Sequence, residues 1–215
     1  MSRPLRFILL LMALALAAGA AATLALSSGS FPGRRGTGEE LIGQPAPPLS
    51  LADWLDRAPL ELDELAGRVL LVRWWTDTCP FCSTTAPALN ELDARYRERG
   101  LTVVGVFHPK PPGDRDPERV RRMARRFGFG FPVASDPDWS ALRRWWLDHE
   151  PRGFTSVTFL VDRAGVIRYV HPGGEFHAGG GGPHWPDHAS CEREYREIVA
   201  TIESLLEERA PGPAP

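Results

Sequence analysis

The sequence predicts an α/β fold, a mixed central sheet with helices on both faces, and three observations carry that prediction. Apolar runs of strand length recur at Arg68–Trp75 (RVLLVRWW), Leu101–Phe107 (LTVVGVF), Val157–Asp162 (VTFLVD) and Val166–Val170 (VIRYV). The first two carry almost no polar alternation, as strands covered on both faces do. Apolar residues at helical spacing fill the stretches between and after these runs. The resulting order is strand, helix, strand, helix, helix, strand, hairpin strand, helix.

Residues 1–26 read as a signal anchor or signal peptide. Arg3 and Arg6 precede Phe7–Leu26, an uncharged run of 20 residues that is long enough to cross a hydrocarbon core as a helix. Positive charge in front holds the N-terminus in the cytoplasm, so everything after Leu26 is expected to be exported. Ala20-Ala21-Ala22 offers the small residues of a cleavage site, but the run exceeds the usual signal-peptide core, which favours an uncleaved anchor. The expected location is extracytoplasmic, on the periplasmic side of an inner membrane and anchored by residues 7–26, or free in the periplasm if cleaved. Close thiol pairs persist there as disulfides.

Residues 27–40 (SSGSFPGRRGTGEE) are small, polar and glycine-rich, the composition of a flexible linker. The domain spans 41–209. After the proline-rich IGQPAPPLSL comes the first strand. Ala86, Leu89, Leu92 and Tyr96 then mark a helix, with Pro87 as a kink and Gly100 as a stop. Asp116-Pro117 caps and opens a second helix with Val120, Met123, Ala124 and Phe127 on its apolar face, ended by Gly128. Its arginines 119, 121, 122, 125 and 126 form a solvated face. Asp138–Leu147 is a short helix. Arg163-Ala164-Gly165 closes a hairpin between the last two strands. Residues 172–189 form a His/Gly-rich loop, and Cys191, Tyr195, Ile198, Val199, Ile202, Leu205 and Leu206 share one face of the closing helix. Residues 210–215 are a disordered tail. Hydrophobic and charged fractions of 43% and 24%, with a net charge of −2, describe an ordinary globular protein and give no reason to expect nucleic acid as a partner.

The stretch LLVRWWTDTCPFCSTTAPAL resembles the active-site segment of the TlpA and ResA type of thioredoxin-fold protein, exported thiol-disulfide oxidoreductases in which a strand ending in Trp feeds a CPxC motif. IGQPAPPLSL resembles that group's N-terminal segment and VTFLVDRAGVIRYVHPG its closing hairpin, and the three occur in the expected order between Leu41 and Leu206. The resemblance implies a thioredoxin-like fold with Cys79 at the end of the strand-to-helix loop and Cys82 in the first helical turn. A helix N-terminus aimed at Cys79 would favour thiolate over thiol, as in motifs of this kind. Cys79 is then the nucleophile and Cys82 the resolving thiol of a redox-active Cys79–Cys82 disulfide, with no other cofactor. Protein disulfides are the implied substrates, and a membrane or exported donor the implied electron source.

Other readings remain open from the residues. A structural staple over so short a loop would remove little chain entropy. A zinc knuckle lacks a second CxxC. A copper-binding assembly protein on the same fold would use the thiol pair and a distant histidine. A peroxiredoxin-like peroxidase would need proline where Val72 stands. The sequence departs from the group at Ser156, which replaces a cis-proline; a non-proline cis bond costs roughly 2.5–4 kcal/mol, so a trans loop with a hydroxyl near the sulfurs is expected. Thr85 stands where a glutamate is common, leaving Asp77 as a nearby carboxylate. Topology sends His108 and His171 to the cysteine edge of the sheet, and the loop carrying His177, His184 and His188 towards Cys191. His184, His188 and Cys191 form an H-x3-H-x2-C array with soft-metal ligand types, although Cys191 also fits an apolar helix face.

Overall fold

The computed structural model describes residues 36–51, 53–55, 60, 65, 67–179 and 188–208. The 7–26 segment, His184 and the 210–215 tail lie outside them, as does most of the 27–40 stretch. Among the described residues no helix is long and apolar enough to cross a membrane.

Five strands form one sheet in the order β3-β2-β1-β4-β5. The central strand, β1 (Val69–Trp75), pairs in parallel with β2 (Leu101–Phe107) and antiparallel with β4 (Thr158–Val161). Strand β5 (Ile167–His171) returns antiparallel to β4, and β3 (Val133–Ser135) adds in parallel to β2. The β3 strand is absent from the order expected from sequence. Three residues between Pro132 and Asp136-Pro137 are too few to show a period.

Every residue of β1 is buried, so its two faces carry separate cores. One face joins Val69, Leu71 and Trp75 to three helices: α1 (Pro80–Tyr96), α2 (Pro117–Phe127) and α4 (His188–Glu207). The other joins Leu70, Val72 and Trp74 to Leu142, Trp145 and Trp146. Helix α2 starts as expected, with the Asp116 carboxylate accepting from the Glu118 N–H at 3.0 Å, and ends at Gly128 with φ +69°, where a residue without Cβ is least strained. Helix α1 continues unbroken through Pro87.

The stretch expected as one helix over Asp138–Leu147 divides into α3 (Ser140–Leu142) and a π-helical turn, Arg143–Leu147. The wider turn accompanies complete burial of the adjacent Trp145 and Trp146. Trp74, Trp145 and Phe159 meet there with centroids 5.1–5.8 Å apart, at angles that favour aromatic pairs. The buried Asp136 carboxylate ties this layer to the sheet, accepting from the N–H groups of Ala141 (3.1 Å) and Leu142 (2.7 Å) and from Trp74 Nε1 (3.3 Å).

Register fixes which residues share an edge. Trp75 pairs with Phe107, Arg73 with Thr158, and Thr158 with His171. The ends of β1, β2 and β5 and the start of β4 therefore converge on one edge, which carries Cys79, His108, Ser156 and His171.

Candidate active site

Cys79 is the N-cap of α1, extended at φ −98° and ψ 114°, and Pro80 takes the first helical position, where its missing N–H leaves nothing unpaired. Cys82 follows in the first turn, its N–H donating to Cys79 O at 3.1 Å. Cys79 is half-buried, Cys82 buried, and both are free thiols. One sulfur is reachable and its neighbour is shielded.

The two thiols have opposite proton affinities. Cys79 is held down to about 5, first by the hydrogen bond from the Cys82 thiol, which outweighs the opposing effect of burial; the Cys82 backbone N–H, the Ser156 hydroxyl and the Arg73 guanidinium add to it. Cys82 is pushed well up, first because its proton is shared with Cys79 and then by burial, with Arg73 and Ser156 pulling the other way. Cys82 Sγ also lies 3.2 Å from Ser156 Oγ, whose hydroxyl can donate to a thiolate.

Arg73 is the functional residue that sequence reasoning misses. It sits in β1, 0% exposed, on the face that carries Cys82 and α1. Its NH1 donates to Thr158 Oγ1 and its NH2 to Gly174 O, each at 3.0 Å, while Nε has no partner. Among the described residues no carboxylate forms an ion pair with it. Burial pushes this guanidinium down and the two cysteines hold it up, so its counter-charge is the thiolate. A lone arginine inside an apolar run that is buried on both faces is the signal that could have found it.

The wall facing the sulfurs is the Thr155–Val157 loop. The one cis peptide among the described residues is Lys110–Pro111, so the bond before Ser156 is trans, as expected. His108 braces the loop: its Nε2 lies 2.8 Å from Thr155 Oγ1, and burial, aided by Lys110, pushes its imidazole to about 3, so it stays neutral. Removing the Ser156 hydroxyl takes one hydrogen bond from the Cys79 thiolate, a loss of about 0.5–1.5 kcal/mol. Ser156→Ala is therefore expected to raise the Cys79 midpoint by about half to one pH unit, read as the pH dependence of its alkylation rate.

The remaining candidates separate. Asp77 is no free proton acceptor, since its carboxylate accepts from Arg119 Nε (2.7 Å) and NH2 (2.8 Å). Burial pushes that carboxyl up, but the Arg119 contacts outweigh it and leave it below its usual range. His171 is buried at the end of β5 with Nε2 2.9 Å from Glu194 Oε2; burial lowers its imidazole more than Glu194 raises it. His149 is exposed, with its Nε2 2.9 Å from Arg144 O. Thr85 is buried and accepts from the Phe176 N–H at 3.4 Å. His177 and His188 meet each other, and Cys191 meets Glu175, a residue absent from the expected array.

Beside the dithiol runs a groove of about 180 Å³ lined by Phe81, Phe154, Gly173, Gly174, Glu175 and Cys191, among others. Phe154 is 44% exposed and meets the Phe81 ring edge-on at 6.1 Å. Gly173 has φ +129°, and a Cβ there would lie 2.2 Å from that of Phe154, so only glycine lets the strap pass so close.

A family model described as the AhpC/TSA family matches residues 42–170. Protein DipZ of Mycobacterium tuberculosis is 25% identical over 165 residues, 75% of this chain and 20% of DipZ. Thiol-disulfide oxidoreductase ResA of Halalkalibacterium halodurans is 29% identical over 120 residues, 56% of this chain and 62% of ResA. The chain thus spans less than two thirds of the length of these curated relatives. A solved thiol-disulfide isomerase from Corynebacterium glutamicum shares the fold, with a TM-score of 0.57 at 24% identity over 76% of this chain and 98% of that one.

Proposed function

The chain belongs to the AhpC/TSA family, and from that premise we propose that it is an extracytoplasmic thiol-disulfide oxidoreductase whose Cys79–Cys82 pair reduces disulfides of exported proteins. The observation that carries this reading is the unequal thiol pair at a helix N-terminus beside a buried guanidinium that has no carboxylate partner among the described residues. Cys79 thiolate attacks one sulfur of a substrate disulfide, the substrate S–S bond breaks, and the other substrate sulfur leaves as thiolate and takes up a proton. Cys82 loses its proton and attacks Cys79 Sγ, closing the Cys79–Cys82 bond and releasing the substrate with two electrons gained. The groove past Phe81 and Phe154 is the surface on which an apolar peptide would lie. A membrane or exported donor restores the dithiol, and residues 7–26 hold the protein at the membrane.

Arg73 also limits which disulfides are substrates. It stabilises the reduced pair, which raises the reduction potential, so the dithiol reduces strained or exposed disulfides rather than buried structural ones. The same cation works against a copper ion held on Cys79 and Cys82, because a second positive charge would sit beside the first. A peroxidase reading has no support at Val72, which is buried within β1.

The test is equilibration of the full chain with glutathione couples. A single reversible two-electron transition, lost in Cys79→Ser, is expected; a pair that stays fixed in one state across the accessible range overturns the proposal.

A further inference from the structure

The geometry points to a divalent transition-metal site, suited to Zn2+, formed by Glu175, His177 and His188 where the β5–α4 connection meets the start of α4. One ligand atom from each of the three lies within 4.8 Å of the others. His188 Nδ1 and His177 Nε2 face each other at 3.4 Å. Two imidazole nitrogens bound tetrahedrally to one zinc at 2.0–2.1 Å would stand about 3.3–3.4 Å apart, so the pair already has the spacing of one edge of that tetrahedron.

A simple hydrogen bond between the two rings would explain that contact but not the carboxylate beside it. Glu175 is 4% exposed and, among the described residues, its Oε2 has no partner and its Oε1 meets the Cys191 thiol at a long 3.8 Å. No described cation pairs with it. A buried carboxyl oxygen needs a partner, and here a metal is what the surrounding ligands can hold. Two imidazoles and one carboxylate make the three-ligand set of zinc sites that keep a fourth position open. Glu175 also lines the groove beside the dithiol, together with Cys191.

The site joins two segments that are separate along the chain. Glu175 and His177 follow the Gly173-Gly174 strap, and His188 is the first residue of α4. A bound ion would clamp the strap that carries Gly174, the acceptor for Arg73, and so fix one wall of the groove beside the dithiol. The inference does not depend on the redox reading, because none of its ligands belongs to the CPFC motif.

The test uses the full chain without a histidine tag, carrying Cys79→Ser and Cys82→Ser and kept reduced, titrated with zinc chloride against a chromophoric chelator. About one equivalent is expected to bind. Glu175→Gln, His177→Gln and His188→Gln are each expected to weaken binding at least about tenfold, the lower end of the loss from removing an outer partner alone. His149→Gln should change nothing. Circular dichroism of the metal-free variants confirms folding, and if one fails to fold, the zinc-dependent rise in Tm of the parent serves instead. No bound zinc, no rise in Tm, or equal affinity in the parent and in the folded His177→Gln and His188→Gln variants overturns the assignment.

Discussion

Cys82→Ser is expected to stop turnover at the mixed disulfide, while Cys79→Ser reduces it to the buffer background. With an aromatic disulfide probe, the wild-type dithiol should release two coloured thiols per chain: one when Cys79 attacks and a second when Cys82 resolves. Cys82→Ser should release about one and retain the other half of the probe until a reductant is added. The reason lies in how the two thiols are coupled. Cys82 is pushed up mainly by sharing its proton with the Cys79 thiolate. Once Cys79 Sγ is bound to substrate, that thiolate no longer exists, and the Arg73 and Ser156 contacts that favour a charged Cys82 act without it. The resolving thiol is thus inactive until the first attack has happened. Non-reducing gels and intact mass measure both species. If Cys82→Ser traps nothing while wild type keeps an unreactive Cys79–Cys82 bond, the pair is a staple.

Much of this arrangement is legible in the residues alone. Apolar runs without alternation identify β1 and β2, and the three-residue hairpin loop fixes β4 and β5, because those signals are local and periodic. Placement of His108 and His171 at the cysteine edge follows from parallel strands ending together, and the register agrees. What escapes are features whose meaning depends on a distant partner. Arg73 is only an irregularity in an apolar run until Thr158, Gly174 and the sulfurs converge on it. Glu175 is only one carboxylate in a glycine-rich loop. The H-x3-H-x2-C spacing matches a metal motif along the chain, but His188 instead meets His177 and Cys191 meets Glu175. Spacing along a sequence reports neighbours on one element only, and this cluster is assembled from two. Asp77 is a similar case, since the arginine that neutralises it comes from the face of α2 expected to be solvated.

Arg73→Met is expected to reshape the pH dependence of Cys79 rather than simply slow it. Losing this buried positive charge raises the Cys79 midpoint by a fraction of a pH unit, since it adds less than the Ser156 hydroxyl does. A more basic thiolate is also more nucleophilic, by a factor of about three for each such unit at a Brønsted slope near 0.4–0.5. If the midpoint rises from about 5 by about half a unit, the variant should alkylate about 1.2-fold slower than wild type at pH 5 and about 1.7-fold faster at pH 8, so the two profiles cross between about pH 5 and 6. A packing defect alone would lower both ends together. The reduction potential at pH 7 should become more negative by about 30 mV for each pH unit that the Cys79 midpoint rises, because the reduced form loses its stabilised thiolate. Stability responds with the same sign. The folded midpoint of Cys79 lies below that of a free thiol, so its contribution is fully present above about 8.5 and is lost as the pH falls through about 5. Reduced wild type should therefore lose stability relative to its disulfide form across that window, and Arg73→Met should lose less. In the disulfide form Arg73 is a buried cation with only neutral partners, so replacing it with an apolar side chain should leave that form as stable or more so. Arg73→Lys keeps the charge and should return the crossing profile towards wild type. Parallel profiles, or a potential that does not move in Arg73→Met, would remove Arg73 from the account of why Cys79 is acidic.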